Sequence, residues 1–156
     1  MKIIVGLALF FSLCGLGNAQ TQSSVKEFSD RLREKSEILS KINGNVLQML
    51  GGAISELDKS AVGLANDVTQ SFDSKIISLL MVSGIYSDMV DERDIKVVKR
   101  YLDYNCKSTI KLGELAVESI NKALPTIQST ALVNEVTKLR DTNISVLQTL
   151  EFCKTN

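Results

Sequence analysis

The sequence predicts an all-α protein, an antiparallel bundle of four to five helices whose C-terminal helix is disulfide-bridged to the helix before it. Three observations carry this expectation. From Val25 onward, apolar residues recur at alternating steps of three and four, the spacing that lays one apolar stripe along a helix and turns it toward a core. Proline occurs once, at Pro125, so little in the chain interrupts helices. Cys106 and Cys153 both fall on the inward stripes of the last two helical segments, at comparable distances from the turn expected between them.

The N-terminus reads differently. Lys2 is followed by the apolar run Ile3 to Leu16 and the small-residue ending Gly17-Asn18-Ala19, the pattern of a secretory signal peptide. Cleavage is expected before Gln20, leaving residues 20–156 as one domain. The run is about 14 residues, short of the roughly 20 that span a hydrocarbon core, so no stable membrane insertion is expected after cleavage. Cys14 follows Leu13 inside that run and leaves with it. The remaining two cysteines then sit in an oxidising place, the periplasm or the extracellular space, where they can bridge.

Ser24-Val25-Lys26-Glu27 has the form of a capping box and opens the first helix. Its stripe is Val25, Phe28, Leu32, Leu39, Ile42, Val46 and Met49, with Lys35 as the exception. Gly44 and Gly51-Gly52 place a bend or turn within 43–52. The stripe resumes at Ile54, Leu57, Ala61, Leu64, Val68 and Phe72, and the second helix is expected to end near 71–74, where Asp73 or Ser74 caps a third.

That third segment, Lys75 to Val90, carries Ile76, Ile77, Leu79, Leu80, Met81, Val82, Ile85, Tyr86, Met89 and Val90 around nearly its whole circumference. A helix apolar all round is expected to be central and buried. The alternative is a half-exposed face for a partner or ligand, formed by Ile77, Leu80, Met81, Ile85 and Met89, with the methionines suiting an adaptable surface.

The acidic cluster around Asp91 precedes the stripe Ile95, Val98, Leu102, Cys106, Thr109, Leu112, Ala116 and Ile120. Asp91 is expected as an N-cap and Asp94 as a first-turn charge facing the helix dipole. A calcium loop would need a glycine turn that is lacking here, so no metal site is expected. The helix ends before Pro125, with a turn at 124–129. The final helix carries Leu132, Val136, Leu139, Asn143, Val146, Leu150 and Cys153. Asn143-Ile144-Ser145 is a glycosylation sequon, but Asn143 lies on the core stripe, so a buried amide is expected in place of a glycan. Folding the last two helices about the turn brings Cys106 and Cys153 within a few residues of each other. The expected bridge pins the chain end and would contribute about 4 kcal/mol in the loop-entropy model.

Several kinds of chemistry lack their materials. There is no histidine, which removes the commonest general base, the usual transition-metal ligand and the partner of Ser or Cys nucleophiles. No Gly-rich phosphate loop or Cys-x-x-Cys is present. Loss of Lys2 with the leader tips an even balance of 18 basic and 18 acidic residues to one net negative charge, with no basic block. Nucleic acid is therefore not an expected partner. Trp is absent, which removes further stacking material. No enzymatic activity and no cofactor are expected. The function expected is an exported, non-catalytic adaptor, inhibitor or immunity-type protein that binds another protein or itself. The alternative is a carrier holding a small apolar ligand between its helices.

Overall fold

The computed structural model describes the backbone of residues 3–52 and 54–155, and side chains within 22–52, 54–91 and 93–154. The side chains of the expected signal segment, Cys14 included, lie outside the described set. Helix α1 spans Ile3–Leu50, α2 Glu56–Asp88, α3 Glu92–Ala123 and α4 Thr130–Thr149. A 3-10 turn, Leu124–Thr126, follows α3, and a single turn, α5, covers Phe152–Thr155. No strand occurs among the described residues.

Helices α2, α3 and α4 are each started by a side-chain cap. Ser55 caps α2, its Oγ accepting from the Asp58 amide at 3.1 Å, and Asp91 caps α3, its carboxylate accepting from the Arg93 amide at 2.8 Å, as expected from the sequence. Ser129 caps α4, after Pro125 has ended α3. The chain turns at Gly51-Gly52, where the two glycine amides donate to the carbonyls of Leu47 and Met49 at the end of α1.

The four long helices close on one core: α1 packs against α2 and α4, and α3 against the same two. Sequential helices run antiparallel. Gln22 Nε2 donates to the carbonyl oxygens of Tyr86 and Met89, while Ser36 Oγ, fourteen residues along α1, donates to Asp73 thirteen residues back along α2. Among the described residues the buried apolar core runs from Val25 to Leu150. Phe28 and Phe72 are its largest fully buried members, and Phe28 stacks on Phe152 with ring centroids 4.6 Å apart. Where α3 crosses α2 and α4, Gly113 lets Phe72 and Leu147 approach its backbone.

The disulfide is present between Cys106 and Cys153, with Cα atoms 5.7 Å apart. It joins α3 to α5 across the intervening α4, so the chain end is held to the middle of α3. The break between α4 and α5 at Leu150-Glu151 was not legible in the stripe, which runs on to Cys153 in one register.

Four expectations are corrected. Ser24 does not start a helix, because α1 runs unbroken through it. Nothing nearby breaks helices, and extending a helix is easier than nucleating a new one. The turn expected within 43–52 does occur, at Gly51-Gly52, with Gly44 still helical. No third helix starts at Asp73 or Ser74: α2 is continuous to Asp88. Asp73 instead bonds across to α1, Oδ1 accepting from Ser36 Oγ at 2.9 Å and Oδ2 from Ser40 Oγ at 2.6 Å. In the first half of α2 the inward line is Asp58, Val62, Ala65, Asn66, Thr69 and Phe72, while Leu57 and Leu64 are about two thirds exposed. Likewise Ser36 fills the core slot beside Lys35. Last, the segment 75–90 is not central. Ile76, Leu79, Ser83 and Tyr86 face the core and the opposite side faces out, because α2 packs chiefly against α1 and α3.

Candidate interaction surface

The face singled out by the sequence divides into exposed and anchored residues. Ile77, Met81 and Ile85 follow one another at four-residue steps along the outside of α2 and are 52%, 66% and 53% exposed. Leu80 and Met89 are only partly exposed, and Leu80 packs against the core. Helical geometry explains the split, since positions four apart share a face while Leu80, one residue from Met81, is turned about 100° toward α1. Three large apolar side chains thus stand in one row about 12 Å long.

A second apolar surface was missed in the sequence. On α3, Val97, Tyr101 and Tyr104 are 51%, 61% and 67% exposed and, with Arg100, line an open recess of about 450 Å³. The signal was available: 97, 101 and 104 keep the same step of four and three as the buried stripe of that helix, displaced around its axis. Tyrosine and arginine are the side chains most enriched where protein surfaces meet.

Other concavities offer less. Beneath the disulfide, Val25, Tyr86, Leu102, Phe152 and the two cysteines, with Lys99 and Asp103 at the edge, enclose a recess of about 20 Å³, about the room of one water. Burial there, and then the nearby Asp103 carboxylate, hold the Tyr86 phenol above its ordinary value of 10.0. The groove between α1 and α4, about 490 Å³, brings Arg31 and Lys35 beside Ser145, Gln148 and Thr149, an assembly of cations, hydroxyls and an amide. Among the described residues no group of three or more Cys, Asp or Glu side chains is placed to hold a metal ion, and no helix is long and apolar enough to cross a membrane.

Interior polar groups serve structure. The buried Asp58 carboxylate accepts from the amides of Gln128, at 2.7 Å, and Ser129, at 3.3 Å, and so ties α2 to the turn before α4. Asn143 is fully buried and its Nδ2 donates to the Leu139 carbonyl at 2.8 Å, so the sequon asparagine is in the core as expected. Comparison with protein-family models, curated proteins and solved structures finds no match to this chain.

Proposed function

We propose that this is an exported, non-catalytic helical protein that works by binding another protein, in the manner of an adaptor, inhibitor or immunity-type protein. The observation that carries the reading is the outward row Ile77, Met81 and Ile85. Three large apolar side chains on one helix face, presented to solvent by a rigid bundle, are the usual material of an interface core. Methionine at the centre lets such a surface fit more than one contour.

Export is part of the same proposal. The basic and apolar N-terminal segment reads as a leader, the disulfide suits an oxidising compartment, and cleavage before Gln20 would leave every buried core residue named above in the mature chain. The absence of histidine and the solvated positions of most carboxylates favour binding over catalysis.

The test places a photo-activated cross-linking side chain at Met81 and, as a control, at Gly44, which is exposed on α1. The protein is expressed in its own host and the exported fraction irradiated. A discrete cross-linked protein at position 81 and none at 44 is expected. Equal, diffuse cross-linking at both positions, or monomer alone at 81, refutes the reading. Met81→Glu is expected to abolish the cross-linked species while changing stability by less than about 0.5 kcal/mol, as for exposed substitutions generally.

A further inference from the structure

The outer side of α3 carries more than an apolar recess. Arg93, Val97, Arg100, Tyr104, Lys107 and Lys111 follow one another at steps of four, three, four, three and four, and all six are exposed. That spacing is one continuous line on a helix, about 27 Å long at 1.5 Å per residue. No acidic residue interrupts it. Lys96 lies beside it, as does Tyr101. Among the described residues, none of these cations makes an ion pair; the ion pairs lie elsewhere, at Lys59, Lys122, Lys138, Arg140 and Lys154. Asp94 neighbours Arg93, and Asp103, itself exposed, also borders the recess beside Tyr86 and Lys99.

Exposed lysine and arginine near one another repel, and helices ordinarily relieve this with a carboxylate three or four residues away. Here Asp103 stands three residues from Arg100 and four from Lys107, and Glu114 three from Lys111, yet among the described residues neither is ion-paired with the line, and Arg93 has no carboxylate three or four residues away. The pattern also alternates: a cation at 93, 100 and 107, an apolar or aromatic side chain at 97 and 104. A facing helix with a carboxylate every seven residues and an apolar residue between them would satisfy the five positions from Arg93 to Lys107 at once.

We infer that this line of α3 docks an acidic amphipathic helix of a partner protein, its carboxylates meeting Arg93, Arg100 and Lys107 and an apolar side chain entering the recess of Val97, Tyr101 and Tyr104. The inference rests on the reading of the protein as a binding module, and adds the partner's chemistry and a second contact surface. Charge complementarity decides its sign. The recess, about 450 Å³ and walled by two tyrosines, favours a protein side chain over a flat lipid headgroup surface, which has nothing to insert there.

The test uses the disulfide-bonded mature protein as bait for a displayed library of random helical peptides, with enriched clones titrated against wild type, Arg100→Glu, Tyr104→Ala and Met81→Glu. All three positions are exposed, and circular dichroism checks that each variant keeps its helix content. Enriched clones with net negative charge are expected, with affinity falling about tenfold or more in Arg100→Glu and in Tyr104→Ala, unchanged in Met81→Glu, and weakening as salt rises. Neutral or basic clones, or acidic clones that bind Arg100→Glu as well as wild type, overturn the inference. Clones lost only in Met81→Glu overturn it while leaving the binding function in place. Binding to phosphatidylserine vesicles that Arg100→Glu abolishes, with no acidic clone enriched, overturns it in favour of a membrane surface. Self-association abolished by the same substitution overturns it in favour of a second copy.

Discussion

Replacing one hydrogen by a methyl group should have opposite effects at two glycines of this bundle. A Cβ built on Gly113 would lie 2.7 Å from Leu147 Cδ2, and 2.7 and 2.8 Å from Phe72 Cζ and Cε2. Carbon atoms in good contact stand 3.5–4.0 Å apart, so each neighbour would have to withdraw by about 1 Å. Phe72 is fully buried and Gly113 sits where α3 crosses α2 and α4, which leaves the ring little room to yield. Overpacking of this kind costs about 1–3 kcal/mol. Alanine recovers up to about 1 kcal/mol through its better helix propensity, so a mid-range overpacking cost of about 2 kcal/mol leaves Gly113→Ala destabilising by about 1 kcal/mol. At Gly44 nothing lies within 4 Å of the added atom, only the propensity term acts, and Gly44→Ala should stabilise by about 0.5–1 kcal/mol. Urea unfolding followed by circular dichroism measures both, with an unchanged denaturant slope as the check that only native stability moved. Shortening Phe72 to leucine beside Gly113→Ala should show favourable coupling, because the two changes share one contact. Shifts of the same sign at 44 and 113, or no coupling with Phe72, would refute the packing described at this crossing.

Three further outcomes are expected. Asp58→Ala strips two backbone amides of their acceptor at the start of α4 and should cost about 2–3 kcal/mol, with Asp58→Asn recovering part of it; equal stability of all three proteins by urea titration would show that the tie carries no weight. Cys106→Ser with Cys153→Ser opens a loop of 47 residues' separation and should lower stability by about 4 kcal/mol, while the wild-type folded protein should resist thiol alkylation until it is reduced. The Tyr86 phenol is held above 10.0 by burial and then by Asp103, so above that pH the unfolded chain releases its proton first. The contribution of this group is therefore complete below pH 10 and lost as pH rises through the folded value. Tyr86→Phe should flatten that part of the alkaline stability profile, and an identical profile in the variant would contradict it.

Helix content, the caps at Asp91 and the turn at Pro125, the stripes of α3 and α4, the core position of Asn143 and the disulfide were all legible in the sequence, because in those segments apolar residues occupy the core slots. The first half of α2 was misread for the complementary reason. Its core slots hold Asp58, Asn66 and Thr69, each buried, while Leu57 and Leu64 trace a regular apolar line that faces solvent. Periodicity reports a line of like residues and not which side that line takes. Asp58 can occupy a core slot because two amides of the turn before α4 donate to its carboxylate, a partner some seventy residues away that local pattern does not display. The break expected at Asp73 failed similarly, since its partners are hydroxyls on α1. On α3 the basic and aromatic line was hidden by linear reading: its cations are spread over nineteen positions and never form a block, and only the helix gathers them on one side.

Native mass spectrometry of the mature protein taken from its own host most directly tests the proposal that it is an exported binding protein. The expected spectrum shows a chain beginning at Gln20, lighter by two hydrogens for the Cys106–Cys153 bridge, in complex with a second protein that is released on activation. An unprocessed chain, a monomer carrying nothing, or a monomer that releases a small apolar molecule would contradict it, the last in favour of a carrier.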